Sequence, residues 1–357
     1  MEQYKILVIN PGSTSTKVAV FEELRPVLEM TLRHSEEELR PFATVIDQLD
    51  FRTGIVLDTL HKAGIAVGSL NAVIGRGGLL KPIPSGVYEV NSAMKSDLEN
   101  GAYGQHASNL GALIASRIAG TAGVPAFIAD PVVVDEMEQV ARITGLPQIE
   151  RRSIFHALNQ KAVARLYARR KGRLYEDINL VVAHMGGGIS VGAHLKGRVV
   201  DINNALDGDG PFASERAGSL PAGDLVRLCF NGRHTEAELL KMLNGRGGLV
   251  AQLQTNDLRR VNDMIAGGDA KAELIRDAMC YNVGKCIGSM AAVLHGDVDA
   301  IILTGGIAHD QKVCDYIRMM TENIAPVEVF PGENEMEALA TNALRVLRGE
   351  EQGAIYS

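Results

Sequence analysis

One strand–turn–strand frame occurs twice in the chain. ILVINPGSTSTKVAVFE near the start and LVVAHMGGGISVGAHL near the middle each run from a buried strand, through a polar residue, into a Gly/Ser turn and a second strand. A shorter frame repeats as well: NAVIGRGG and DAIILTGGIA are each a buried strand ending in paired glycines. A period of roughly 170–230 residues is far too long for a stacked solenoid and predicts two similar domains in tandem. A chain of 357 residues has material for two apolar cores.

The repeated turns draw on an unusual supply of glycine. The chain has 38 Gly but no Trp, 8 Phe and 8 Tyr. Glycine follows no collagen period, and 46% hydrophobic residues are too many for a disordered chain. So few aromatics leave little with which to stack single-stranded nucleic acid. A net charge of −7 opposes binding to a phosphate backbone, so no nucleic-acid partner is expected. MEQYKILVIN lacks the basic-then-apolar signature of a signal peptide, and no apolar run approaches the ~18–20 residues of a membrane span. A cytoplasmic protein without a membrane partner is the expectation. Cys229, Cys280, Cys286 and Cys314 form no CxxC and read as buried free thiols in a reducing compartment.

Apolar periodicity predicts strands at 5–10, 71–75, 126–129, 179–183, 300–304 and 327–330. It predicts helices at 53–63, 106–119, 156–170, about 270–295, about 310–321 and 335–348. The segments STKVAVFE, ISVGAHL and GRVVDIN read as further strands, and the basic run RRKGR as a solvated helix end. The domains divide as 1–153 joined by a terminal helix at 337–357, and 154–336.

Gly12, Gly75, Gly77, Gly78, Gly186, Gly187, Gly188, Gly305 and Gly306 all close predicted strands. Strand ends line the ligand crevice of such sheets. Glycine there permits positive φ and lets backbone amides approach an anion. A single turn of this kind is ordinary turn chemistry. Four clusters spread over two halves point to a phosphate-binding cleft. Two familiar phosphate loops are excluded. GSTSTK has Thr16 where a Walker A loop needs glycine, and GGGISVG has the wrong glycine spacing for a dinucleotide fingerprint. In both cases a strand follows where those motifs need a helix. The turns are hairpins that hold phosphate.

INPGSTSTK at 9–17, FHALNQ at 155–160, AHMGGGISVG at 183–192, TNDLR at 255–259 and LTGGIA at 303–308 occur in an order that resembles one superfamily. It comprises acetate and sugar kinases, heat-shock ATPases and actin. Within it the chain is similar to the short-chain carboxylate kinases. The resemblance implies an α/β fold of two ribonuclease-H-like domains with ATP in the cleft between them. It implies ATP/ADP and Mg2+ as cofactors, a small carboxylate and a nucleotide as partners, and a homodimer or larger homo-oligomer. By the same resemblance, Asn10 and Glu335 stand near the metal, and Ser13, Ser15 and Lys17 form the first phosphate hairpin. Arg76 and Arg216 match the active-site arginines, with His106 beside the substrate arginine. Asp130 matches the active-site aspartate and His156 the histidine touching the transferred phosphoryl group. Gly186, Gly187 and Gly188 form the second phosphate loop. Asp257, Leu258 and Arg259 match the adenosine-side segment, and Gly305 with Gly306 the adenosine loop. Some positions depart from the acetate kinases: Gly187 replaces an asparagine, Arg76 adjoins Gly77-Gly78 directly, FHA replaces FHG, and the chain is shorter. These departures favour the butyrate and branched-chain branch.

The chemistry suits these residue types. A carboxylate, with a pKa of ~4–5 by analogy with Glu, is already ionised at neutral pH and needs no general base. The difficulty is bringing it against an anionic γ-phosphate, a task for guanidinium forks. Arg76 and Arg216 are therefore assigned to hold the acyl carboxylate and to neutralise the transferred oxygens. His156 acts as a further donor, charged or neutral, and Asp130 orients an arginine or the substrate. His184 ends its strand as Asn10 does in the other half; it either lines the phosphate cleft or is a satisfied structural histidine. Two alternatives stay open: a hydroxyl kinase with Asp130 as base, and an ATP-dependent clamp or filament protein.

Overall fold

The computed structural model describes residues 3–357. In chain order its strands are β1 (Lys5–Pro11), β2 (Ser15–Glu22), β3 (Arg25–Arg33), β4 (Ala72–Arg76), β5 (Val87–Glu89), β6 (Ala126–Ala129), β7 (Asn179–Met185), β8 (Ile189–Leu195), β9 (Arg198–Ile202), β10 (Ala300–Gly305), β11 (Val327–Pro331) and β12 (Ala354–Ile355). They form two sheets, ordered β12-β5-β6-β4-β1-β2-β3 and β11-β10-β7-β8-β9. The chain divides into two compact units. One runs to Val134 and takes in Asn334–Ser357; the other is Asp135–Glu333.

Each sheet contains an antiparallel meander, β1-β2-β3 or β7-β8-β9, extended by parallel strands beside its first member. The repeat read in sequence is thus a repeat of topology, and it reaches finer detail. A register shift falls at Val20/Phe21 in one meander and at Ala193/His194 in the other. Val20 pairs with Leu7, three residues before Asn10, and Ala193 pairs with Val181, three before His184. Both units thus bulge and twist at equivalent places.

The central strands β1 and β7 are almost wholly buried because helices cover their faces. In the first unit, Leu7 and Ile9 share a core with Leu110, Leu113 and Ile114 of the helix Asn109–Ala122. The helix Glu335–Leu347 also packs on β1, β4 and β6. In the second unit the alternation is resolved by face. Val181 and Ala183 meet Met279, Val283 and Ile287 of the helix Ala270–Val293. Leu180 and Val182 meet Val163, Ala164 and Tyr167 of the helix Ala157–Arg170.

Residues 135–153, placed with the N-terminal domain from sequence, bond into the second unit. Glu138 N–H donates to Val200 O at 3.0 Å, Lys161 Nζ meets Glu136 at 2.6 Å, and Arg151 meets Asp201 at 2.9 Å. Glu335, placed by sequence in the C-terminal domain, belongs to the first unit.

The glycines need a correction. Of the strand-closing set only Gly305, at 88°, has a positive φ. The Gly75 cluster serves packing rather than anion approach. A Cβ on Gly75 would lie 2.2 Å from Gly111 O, and one on Gly111 would lie 2.3 Å from Arg76 O. Gly77 would meet Pro131 at 2.6 Å and Gly78 would meet Asn109 at 2.5 Å. Gly75, Gly78 and Gly111 let the helix Asn109–Ala122 seat directly on the end of β4, and Gly77 makes room for Pro131.

The basic run after residue 168 is exposed, as a solvated helix end, and is also paired: Arg170 lies over the Phe330 ring at 4.8 Å, Lys171 meets Glu328 at 3.1 Å and Arg173 meets Asp299 at 2.6 Å. The thiols divide too. Cys280 and Cys314 are buried, Cys286 is half-buried and Cys229 is exposed, against the expectation of four buried thiols. Burial pushes Cys280 up to about 12 and Cys314 up to about 11, which makes them unreactive. No helix among the described residues is long and apolar enough to cross a membrane.

Candidate active site

In the first unit, the parallel register of β1 and β4 pairs Ile9 with Gly75, which brings Asn10 beside Arg76. Asn10 is buried, and its Nδ2 donates to Glu335 Oε2 at 2.6 Å. Arg76 Nη1 donates to the same Glu335 oxygen at 3.2 Å and reaches Asn10 Oδ1 at 3.5 Å. Glu335 opens its helix, directly after Asn334 in the left-handed region at φ 36°. Three residues far apart in sequence thus form one polar cluster at the strand ends.

The β1–β2 turn lies next to it. Asn10 and Lys17 are register partners across the hairpin, and Gly12 N–H donates to Ser15 O at 2.8 Å. Ser13 and Lys17 are exposed and Ser15 is half-buried. Beneath the turn sits Arg52, a residue sequence reasoning missed, which is only 1% exposed. Its guanidinium donates to Gly12 O at 2.8 Å, Ser13 O at 2.9 Å, Ser15 O at 3.0 Å and Thr16 Oγ1 at 3.1 Å. Gln48 Oε1 holds its other edge at 2.8 Å, and Thr16 Oγ1 also meets His34 Nε2 at 2.9 Å. Burial lowers the Arg52 pKa, and no carboxylate among the described residues pairs with it. A guanidinium nevertheless keeps its charge. Arg52 is therefore a buried cation satisfied by neutral oxygens, those of the turn and that of Gln48.

Asp130 directly follows β6 with φ 39°, a left-handed conformation rare for a residue with a Cβ. It is buried, and its Oδ1 accepts from Ser85 Oγ at 2.6 Å and Gly86 N–H at 3.0 Å. His106 is tied locally: its Nδ1 accepts from Ser108 N–H at 3.2 Å and lies 2.8 Å from Ser108 Oγ.

In the second unit, the rings of His156 and His184 stack 3.8 Å apart at 8°. His156 precedes the helix Ala157–Arg170, and His184 lies on β7, 1% exposed. His184 Nδ1 bonds Asn159 Oδ1 at 2.8 Å, while Nε2 lies 3.4 Å from Glu333 Oε1. Arg216 folds over the second glycine turn. A Cβ on Gly188 would lie 1.7 Å from Arg216 Nη1, so only glycine leaves this seat open. Arg216 also donates to Ala205 O and, at 3.2 Å, to Asn244 Oδ1. Burial lowers its pKa, while Glu215 and Asp207 act to raise it.

A cavity of about 740 Å³ lies nearby, lined in part by Gly186, Gly187, Asp257, Leu258, Arg259 and Gly306. Its size is that of a small-molecule or cofactor site. Asp257 caps the helix Leu258–Ala266 by accepting from Arg259 N–H at 2.9 Å. The Arg259 fork grips the same carboxyl at 3.0 and 2.8 Å and holds it below its usual range. Leu258 packs into the core beneath. Gly305 does not line the cavity; it lets β10 pass β7, where its Cβ would come 2.4 Å from Met185 O.

Residues 147–343 match the Acetokinase family. Over 353 residues the chain is 55% identical to butyrate kinase 1 of Clostridium acetobutylicum, with 99% of each chain covered. The chain belongs to the acetokinase family. The fold agrees with that of solved family members. Against the acetate kinase of Porphyromonas gingivalis the TM-score is 0.79 at 19% identity, covering 96% of this chain and 100% of that one. Against a propionate kinase from Francisella tularensis it is 0.74 at 18%, covering 95% and 98%.

The family motifs also carried unread information. FHALNQ contains Asn159 and Gln160, both buried beneath the paired histidines. Two adjacent amides in the first turn of the helix Ala157–Arg170, beside Leu158, were the available signal, because a buried amide must find partners. Arg52 carried a signal too: it stands three residues after Leu49 and four before Val56, on the apolar face of its helix, where an arginine must find partners.

Proposed function

We propose that this acetokinase-family chain is a butyrate kinase, transferring the γ-phosphoryl group of ATP reversibly to a short-chain carboxylate. The observation that carries this reading is the full-length 55% identity to butyrate kinase 1. In the proposed reaction a carboxylate oxygen forms a bond to the γ-phosphorus while the bond to the β–γ bridging oxygen breaks. The products are an acyl phosphate and ADP, and no proton need move. The protein's contribution is then positioning and charge.

Arg76 is assigned to the acyl carboxylate and Arg216 to the equatorial oxygens of the transferred group. His156 donates to the same oxygens. The β1–β2 turn, with Ser13, Ser15 and Lys17, and the loop Gly186–Gly188 hold phosphate. The uncompensated charge of Arg52 beneath the first turn supports that assignment. The cavity beside Asp257, Leu258 and Arg259 takes the adenosine. His106 lies on the substrate side. Asp130, with Oδ1 already accepting two bonds, suits an orienting role better than that of a base for a hydroxyl acceptor.

The donor set fits Mg2+. Asn10 Oδ1 and the Glu335 carboxylate are hard oxygens at one point. No group of three His, Cys, Asp or Glu among the described residues could form a protein cage. Mg2+ typically keeps several waters and takes one or two protein oxygens plus phosphate. When bound, it would offset charge on the β- and γ-phosphates. The family resemblance extends the reading to a cytoplasmic homodimer or larger homo-oligomer, which light scattering would measure.

ADP release from ATP with a series of acids tests the acyl preference. Butyrate and its branched isomer are expected to exceed acetate in kcat/KM by at least about tenfold, since each methylene in an apolar pocket contributes ~1–3 kcal/mol. A preference for acetate over butyrate would contradict the assignment.

A further inference from the structure

Behind the stacked histidines a line of hydrogen bonds runs into the core of the second unit. His156 Nδ1 lies 2.9 Å from Ser190 Oγ, and Gln160 Nε2 lies 2.8 Å from the same hydroxyl. Gln160 Oε1 meets His194 Nε2 at 2.9 Å, and His194 Nδ1 meets Tyr175 Oη at 2.7 Å. Ser190, Gln160 and His194 have no exposed surface, and Tyr175 has 3%.

Elementary bookkeeping of donors and acceptors gives this line a direction. Gln160 also faces the Ser190 carbonyl at 3.0 Å. A carbonyl can only accept, so the group facing it is the NH2 of Gln160. The amide cannot be flipped, and its second N–H therefore donates to Ser190 Oγ. Of the hydroxyl's neighbours, the backbone N–H of His156 at 3.5 Å is also a donor. The one acceptor left for the hydroxyl proton is His156 Nδ1. At the other end Gln160 Oε1 must receive a proton, so His194 carries its own on Nε2 and Tyr175 donates to Nδ1. Burial, reinforced by Lys161 and Arg165, holds the His194 pKa well below the usual histidine value, so that ring stays neutral.

A second, separate set of bonds orients the other ring. Asn159 Nδ2 donates to the Glu333 carbonyl at 2.9 Å, which makes Asn159 Oδ1 an acceptor. His184 Nδ1 must then carry the proton in the bond between them.

We propose that the buried Tyr175–His194–Gln160–Ser190 line sets the tautomer of His156, keeping its proton on Nε2 so that the neutral ring is a hydrogen-bond donor to an anionic ligand. The two stacked rings then carry protons on opposite nitrogens, Nε2 in His156 and Nδ1 in His184. Ser190 and Gln160 are positioning residues, acting through His156. The consequence for turnover rests on the reading of His156 as a donor to the transferred phosphoryl group. The tautomer itself does not depend on that reading.

The test is a two-bond 1H–15N correlation spectrum of [15N]histidine-labelled protein at neutral pH, with His156 assigned by its loss in His156→Asn. The expected pattern is a proton on Nε2 in His156 and His194 and on Nδ1 in His184. Gln160→Glu places a carboxylate against the Ser190 hydroxyl, which turns to donate to it, and His156 Nδ1 then becomes the donor to Ser190. The His156 signal should move to the Nδ1–H pattern. Turnover should fall about 10²-fold, as for loss of one transition-state donor, with KM for ATP and acid within about twofold. Ser190→Ala, a smaller change, should leave His156 exchanging between both tautomers. A wild-type His156 that is protonated on Nδ1, or on both nitrogens, would overturn the proposal. So would a Gln160→Glu protein whose His156 tautomer switches without loss of kcat. An Nε2–H signal in a protein that phosphorylates no acid would uphold the tautomer line and remove the kinase reading instead.

Discussion

Arg216→Ala is expected to lower kcat for acyl phosphate formation by about 10³–10⁵-fold, the range that an arginine contributes to a transferring phosphoryl group. The expectation follows from how the side chain is held. Its guanidinium rests on the Cα of Gly188, where a Cβ would approach to 1.7 Å, and is tied to Asn244 Oδ1. A fork pinned in this way loses little entropy when it meets oxygens, which is what preorganisation requires. Arg216→Lys keeps the charge but not the planar fork, and should recover only a small part of the loss. Steady-state kinetics beside circular dichroism and a thermal melt would check this. A kcat within tenfold of the parent in a folded variant would remove Arg216 from the reaction.

Arg52→Met should act mainly through stability. Arg52 contributes the bonds that hold Gly12 O, Ser13 O and Ser15 O in their turn. Methionine fills much of the same volume but donates nothing. Bonds to a charged donor are worth ~1.5–3 kcal/mol each, and water can reach part of this turn, so a net loss of about 3 kcal/mol is expected. For a domain of this size that corresponds to a fall in Tm of roughly 6–12 °C. KM for ATP should also rise, because the turn loses both its shape and the cation beneath it. Calorimetry and initial rates would show both effects. An unchanged Tm would mean that the hairpin holds itself without Arg52.

The sequence told most where local pattern and tertiary need coincide. Buried strands such as NLVVA and AIILT are apolar on both faces because helices cover both, so β7 and β10 could be read directly. The repeat disclosed the duplicated meander, but not the bulges at Val20/Phe21 and Ala193/His194, which depend on register alone. β3 was missed although Leu28, Met30 and Leu32 alternate with Glu29, Thr31 and Arg33; as an outer strand it is mostly exposed.

Glycines misled for a physical reason. Gly75 and Gly188 each remove a Cβ, but one makes room for a helix and the other for a guanidinium. Sequence cannot distinguish these from an anion site. Asn10, Arg76 and Glu335 were named separately through the family motifs; that one carboxylate oxygen joins Asn10 and Arg76 became visible only in space. His184, left between two readings, is buried, stacked on His156 and bonded to Asn159 Oδ1.

The most direct measurement is hydroxylamine trapping of the product formed from ATP, Mg2+ and butyrate. The proposed reaction predicts butyryl hydroxamate in amounts equal to the ADP released, with neither appearing when butyrate is omitted. ADP release without hydroxamate, or no reaction with any short-chain acid, would contradict it.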